Sequence, residues 1–318
     1  MQYPLSGVVK LRTNLAEYPV TKALRQGRIS SSVVSFDFCG PPTAHDGFKG
    51  MVRDNKFDAG ELAIITFLQA KAYGKPYVLL PAPISGRFQH HCIGYNAEHG
   101  GELKPKDIEG RKVGVRSYAQ TTGLWVRGVL KHEYGVDLDR VTWVTFEDGH
   151  LAEYTDPANT ERVPKGSKKL AQMMFDGDVT AAILGADMPK DPRVRTLIPE
   201  PHKAAKEWFK RTGVIPINHM FAVHEEIARE RPDVVREAFR MIVESRKAAP
   251  PEALETIPPF GVEANRTAIQ LAIDWALAQR IIPRRLEVDE LFHDNTRDLV
   301  PAGTMDAGPR EASLAGGD

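Results

Sequence analysis

Two periodicities alternate along this chain. Short runs rich in β-branched and aromatic residues, at 7–11, 32–38, 77–81, 88–95, 112–115, 141–146, 179–184 and 194–198, predict strands. Between them, stretches at 20–25, 45–55, 67–73, 122–133, 169–175 and 202–211 predict helices, several of them closed by glycine. The segment 57–65 brings Asp58 and Glu61 to a strand end or a helix start. After residue 223 the character changes, with long amphipathic helices at 225–248 and 266–279 and a last one opening at 286–291. Residues 156–167 read as a surface loop and 301–318, small and rich in Gly and Pro, as a disordered tail.

Alternating strands and helices predict α/β layers with mainly parallel sheets. Extended segments at 95–102 and 214–223 bracket the middle of the chain like paired linkers. The expected organisation is therefore two lobes with a ligand cleft between them. Residues 1–98 and 216–300 form the first lobe, with the C-terminal helices, and 99–215 the second.

One stretch, 110–128 (GRKVGVRSYAQTTGLWVRG), runs from a strand through a polar turn into a helix start at Thr121 and Thr122. The first amides of a helix lack intrahelical acceptors and sit at the positive end of its dipole, which suits a carboxylate or phosphate. Arg116 lies in the turn, Tyr118 beside it, and Arg127 follows on the helix, where a surface salt bridge is the competing role. Trp125 reads as core.

Composition narrows the classes. Lys+Arg and Asp+Glu each number 42 in 318 residues, so no net field draws the chain to nucleic acid or an anionic membrane. Cys39 and Cys92 form neither a disulfide framework nor a metal knuckle. No apolar run reaches the roughly 18–20 residues of a membrane span. Residues 1–20 lack the pattern of a secretory signal, and the expectation is a cytoplasmic protein without membrane partners. Gly-rich nucleotide signatures are absent.

FDAGELAIITFLQAKAYG (57–74), SGRFQHHCIGYN (85–96), IEGRKVGVRSYAQTTGLWVRGVLKHEYGV (108–136), TGVIPINHMFAV (212–223) and FGVEANRTAIQLAIDWALAQRIIPRRLEVDELF (260–292) together resemble the 4,5-dihydroxyphthalate decarboxylases. Those enzymes have the two-lobed fold of type II periplasmic solute-binding proteins. The first 50 residues match poorly, and the chain departs from the family pattern at Gly86, His91 and Arg116–Ser117. The resemblance implies loss of CO₂ from a hydroxylated aromatic dicarboxylate, in the direction of 4,5-dihydroxyphthalate to protocatechuate. That chemistry needs an acid/base pair for the phenolic and ipso protons and a cationic clamp for the carboxylate that stays.

His219, in the second linker, is the first acid/base candidate, and His90 matches the family histidine. Placed on a strand, His90 and His91 face opposite sides, which leaves His91 to a surface or interface role. Glu61, acidic within an apolar run, is the partner for a histidine or for phenolic oxygens. Arg87, Arg116, Tyr118, Thr121, Thr122, Asp187 and Arg127 make up the expected substrate-binding set. Asp187 is included because it follows a strand C-terminus. No metal or other cofactor is expected; the alternative is a divalent ion held by His90, His219, Glu61 and Asp187. The competing function is a non-catalytic solute-binding protein that delivers an aromatic or other small anion to a transporter. The partner is then a small aromatic carboxylate, and the C-terminal amphipathic helices offer a face for a homo-oligomer.

Overall fold

The computed structural model describes residues 7–99, 101–164 and 167–302. The expected tail thus lies outside the described residues, apart from Pro301 and Ala302. The chain divides into two compact units. Unit 1 takes the described residues of Met1–Arg87, Ile215–Ile273 and Arg284–Asp318, and unit 2 those of Phe88–Val214 and Asp274–Pro283.

Unit 1 is built on strands β1 (Val9–Asn14), β2 (Val34–Asp37), β3 (Ala59–Ala63) and β4 (Tyr77–Gly86), joined late by β11 (Ile217–His224) in the order β2-β1-β3-β11-β4. β1 pairs parallel to both β2 and β3, while β11 runs antiparallel to β3 and β4. β4 extends through Pro81 and Pro83, five residues past the strand expected there. An edge strand tolerates proline because its outer N–H groups have no ladder partner, and β4 is an edge. The intervening helices of this half are α1 (Lys22–Arg25), α2 (Ala44–Asp54) and α3 (Ile64–Ala72).

After β11 come α7 (Glu225–Glu230) and α8 (Pro232–Lys247), split where a single helix was expected, with Pro232 opening α8. The apolar side of α8 (Val234, Val235, Phe239, Ile242) packs in one cluster with Val9, Leu11, Val78, Leu80 and Phe221 of the sheet. Its amphipathicity is thus accounted for inside unit 1. Val8 and Val300 are the large apolar side chains left exposed among the described residues.

Unit 2 carries β5 (Ile93–Asn96), β6 (Lys112–Val115), β7 (Thr142–Thr145), β8 (Thr160–Arg162), β9 (Ala181–Ile183) and β10 (Val194–Thr196), in the order β10-β5-β9-β6-β7-β8. Its helices are α4 (Thr121–Tyr134), α5 (Leu170–Phe175) and α6 (Pro201–Thr212). β8 lies within the stretch expected to be a loop. β5 is antiparallel to β9 and β10, whereas β6, β7, β8 and β9 run parallel. Each sheet therefore contains one strand running against the rest, β11 in unit 1 and β5 in unit 2. β11 occupies the second segment expected to be a linker, while β5 falls mostly in the strand expected at 88–95 and reaches only the first two residues of the other linker. Because β5 is bonded into the second sheet, the first boundary falls at Arg87–Phe88, earlier than residue 98.

The division also falls inside α9 (Arg266–Ala278): its last residues belong to unit 2, so the C-terminal helices are not wholly in the first lobe as expected. There Trp275 sets its ring against Trp125 at 5.4 Å and stacks on His132 at 5.2 Å. Where the last helix was expected to open, at 286–291, there is a 3-10 helix (Val288–Leu291), and a short α10 (Asp294–Arg297) follows it. Among the described residues no helix is long and apolar enough to cross a membrane.

Candidate functional site

Glu61 is the sole charged residue of β3, a strand buried along its whole length. A buried carboxylate requires hydrogen-bond donors, and it has three. The Ala16 backbone N–H donates to Oε1 at 2.8 Å, the Tyr18 hydroxyl donates to Oε2 at 3.2 Å, and His219 Nδ1 lies 2.6 Å from the same Oε2. The sheet register explains the last contact. Phe221 of β11 sits opposite Glu61, so His219, two residues back, is its diagonal neighbour on the same face.

A carboxylate at Glu61 can accept from all three groups, with His219 then presenting an Nδ1–H to Oε2. Burial, followed by the Glu61 charge and its hydrogen bond, pushes the Tyr18 phenol far above its usual range, which keeps it a donor. Phe48 on α2 sets its ring edge-on to the imidazole at 5.4 Å. The side chain of His219 keeps 21% of its surface exposed, whereas that of Glu61 has none. Nε2 is therefore the nitrogen available for proton transfer, and it makes no hydrogen bond among the described residues.

Tyr18, Ala16 and Phe48 escaped the sequence reading. They fall in the first 50 residues, where no motif points to them; only the fold brings the 15–21 turn and α2 to Glu61. Arg87, also in unit 1, follows the last residue of β4, and its N–H donates to Pro216 O at 3.1 Å. The glycine before it has a steric cause: a Cβ at Gly86 would stand 2.5 Å from Pro258 Cδ and 2.9 Å from Pro216 O.

The remaining expected site residues belong to unit 2. His90 and His91 sit on a short 3-10 helix, His90–Cys92, rather than on the expected strand, so alternation does not decide which way they face. His90 is buried against Trp208 at 5.7 Å. Burial first, then the neighbouring His91 and Arg211, brings its pKa down to about 4. At neutral pH it is an uncharged imidazole, with one N–H and one acceptor nitrogen. His91 stacks on His202 at 5.7 Å. Asp187 is exposed at the end of the 3-10 turn Gly185–Asp187 that follows β9.

The turn between β6 and α4 and the first turn of that helix gather Arg116, Tyr118, Thr121 and Thr122. Arg116 is half-exposed, with Nε 3.8 Å from Glu147. Ser117 Oγ and Thr121 Oγ1 are buried without hydrogen-bond partners, and no side chain caps α4. Tyr118 is buried, and burial raises its phenol above the usual range.

Arg127 is wholly enclosed, which excludes the surface salt bridge considered for it and direct contact with a ligand from solvent. Trp125 is core, as expected. Of the donors considered for a metal, Glu61 and His219 meet in unit 1, while His90 and Asp187 lie in unit 2. Among the described residues no group of three or more His, Cys, Asp or Glu side chains is arranged to hold a metal ion.

No family model matches the sequence. The chain is 26% identical over 283 residues to a 4,5-dihydroxyphthalate decarboxylase of Comamonas testosteroni, a match spanning 76% of this chain and 83% of that protein. It is 29% identical over 171 residues to a 4,5-dihydroxyphthalate decarboxylase of Pseudomonas putida, spanning 50% of this chain and 65% of that one. Among solved structures, the periplasmic aliphatic sulphonate binding protein SsuA of Escherichia coli superposes with a TM-score of 0.58 at 14% identity, covering 96% of this chain and 98% of that chain. The chain therefore has the periplasmic-binding-protein fold, a two-sheet α/β architecture.

Proposed function

We propose that this chain is a carboxy-lyase that removes one carboxylate from a hydroxylated aromatic dicarboxylate, converting 4,5-dihydroxyphthalate or a close analogue to protocatechuate or its counterpart. The observation that carries the reading is the Glu61–His219 pair: a buried carboxylate holding a partly exposed imidazole at 2.6 Å. A protein that only captures an anion needs donors and positive charge; it has no use for a carboxylate that polarises a histidine toward its ligand site. The similarity to two decarboxylases of that substrate supports the same reading.

In each half of 4,5-dihydroxyphthalate a carboxyl-bearing carbon lies para to a hydroxyl, so oxygen lone-pair density reaches the carbon that must be protonated. Glu61 stabilises the imidazolium form of His219, and the Nε2–H delivers its proton to that carbon. A C–H bond forms, the C–C bond to the carboxylate breaks with its electron pair returning to the ring, and CO₂ leaves. Solvent then reprotonates the imidazole, so one proton is consumed for each CO₂ released. The carboxylate that remains requires a cationic anchor, a role that suits Arg87, which unit 1 carries together with His219.

The test is to mix purified protein with 4,5-dihydroxyphthalate and follow CO₂ and protocatechuate. Turnover that falls sharply in His219→Ala with little change in binding supports the reading; saturable binding with no product sinks it and favours the solute-binding alternative. Turnover that survives a chelator supports a reaction carried by side chains alone, and its loss points to a divalent ion. A cytoplasmic location belongs to the same proposal and is read by cell fractionation. Self-association belongs to it as well and is read by sedimentation; with the apolar side of α8 already buried in unit 1, its interface would be polar.

A further inference from the structure

The guanidinium of Arg127 is among the largest fully buried side chains of the chain, and among the described residues it forms no ion pair. Its Nε donates to Gln279 Oε1 at 2.7 Å and one terminal nitrogen donates to the Tyr118 carbonyl at 2.6 Å. Two aromatic faces lie beneath it, Tyr118 at 4.0 Å and Trp143 at 5.2 Å. The other terminal nitrogen is buried with no hydrogen bond. Asp156, the carboxylate that acts on it from a distance, is itself paired with Arg162 at 2.9 Å. A buried charge in this condition carries a desolvation cost that its neutral partners return only in part.

The position of that charge gives it a use. Side chains on a helix lean toward its N-terminus, so Arg127 reaches back one turn under the start of α4. The unpartnered nitrogen stands 2.9 Å from where a Cβ on Gly123 would be, which makes glycine the residue that fits over it. Around the same helix end, Ser117 Oγ and Thr121 Oγ1 are buried without partners. Three unsatisfied groups that can donate, one of them on the unpaired cation itself, thus lie at one helix end with its dipole, all within unit 2.

We infer that the N-terminus of α4 is a carboxylate-binding site whose counter-charge is supplied from beneath the first turn by Arg127. Ser117, Thr121 and the first amides of α4 touch the anion; Arg127 does not touch it and acts as a positioning residue through its field. This deepens the proposed function, on which it rests for the ligand class, by naming a carboxylate as the ligand of a site within unit 2. Gln279 keeps the guanidinium in place, with Oε1 accepting from Arg127 and Nε2 donating to Leu124 O at 3.0 Å.

The experiment measures binding without turnover, by calorimetry with phthalate and with its neutral diamide. Arg127→Lys keeps the charge and Arg127→Met removes it, while both lose the hydrogen bonds to Gln279 and Tyr118. Expected is phthalate affinity about 30-fold weaker in Arg127→Met and within about fivefold of wild type in Arg127→Lys, with the diamide binding far more weakly than phthalate throughout. Equal weakening in both variants would mean a structural role and overturn the inference. Should Arg127→Met fail to fold, the wild-type comparison decides: diamide binding as tightly as phthalate, or no saturable phthalate binding, overturns it too. Charge-dependent phthalate binding in a protein that does not decarboxylate 4,5-dihydroxyphthalate would leave this inference standing and remove the proposed reaction.

Discussion

Replacing Glu61 by Gln separates the charge of the pair from its shape. The Ala16 N–H, 2.8 Å from Oε1, demands an acceptor and so fixes the new amide with its oxygen at that position. The amide NH₂ then occupies the place of Oε2, facing the Tyr18 hydroxyl and His219 Nδ1. Tyr18 can turn and accept, so its contact survives. Nδ1 cannot keep its proton against an N–H donor, so the imidazole carries it on Nε2 alone, and the imidazolium meets a donor instead of a carboxylate.

Losing a charged hydrogen bond costs about 1.5–3 kcal/mol, a factor of about 10 to 150 in rate. Opposing the protonated form adds to that, and an equivalent carboxylate-to-amide change beside a catalytic histidine lowers kcat about 10⁴-fold. The expected result is a kcat at least about 10³-fold below wild type, with phthalate affinity within about threefold and thermal stability nearly kept. The assay is CO₂ release under saturating 4,5-dihydroxyphthalate, paired with calorimetry on phthalate. A variant that keeps kcat within threefold of wild type would refute the assignment of His219 as the proton donor.

Other outcomes follow from neighbouring contacts. Tyr18→Phe removes one donor at 3.2 Å from Glu61, and kcat should fall about three- to tenfold with KM unchanged, read by steady-state kinetics. Phe48→Leu removes the ring edge at 5.4 Å from His219; denaturant titration should show about 1–2 kcal/mol of lost stability, and kcat should fall more than KM rises.

His90 predicts a pH effect on stability. Its folded pKa of about 4 lies below the ordinary 6.5, so between those values the unfolded chain binds more protons, and stability drops as pH falls through that window. The full effect is about 3 kcal/mol; His90→Gln should flatten this limb in urea melts at pH 7 and pH 4.5 and leave the alkaline side unchanged.

Much of the local structure was legible in the sequence. The strand–turn–helix at 112–134 was readable because a β run, a polar turn and a helix with a terminal glycine are each encoded within a few residues. Glu61 stood out as a charge inside an apolar run, and His219 as a titratable group in an extended segment. Composition showed no net charge that would draw the chain to a polyanion, and the family resemblance pointed to the fold. The sequence placed His90 on a strand because a short 3-10 helix has no periodicity to detect, and it overextended the strand at 88–95 for the same reason.

What only the tertiary structure decided is non-local. Glu61 and His219 are 158 residues apart, and they meet because β11 joins β3 in reverse with Phe221 opposite Glu61; nothing near either residue specifies that register. Tyr18 matters solely through this meeting. Arg127 read as a substrate-binding or surface arginine until Trp143, Tyr118 and Gln279, drawn from a strand, a turn and the turn that follows α9, closed around it. Periodicity tells which face of an element is apolar, but whether a charge on that element meets water, a carboxylate or two aromatic rings depends on what the distant chain packs against it.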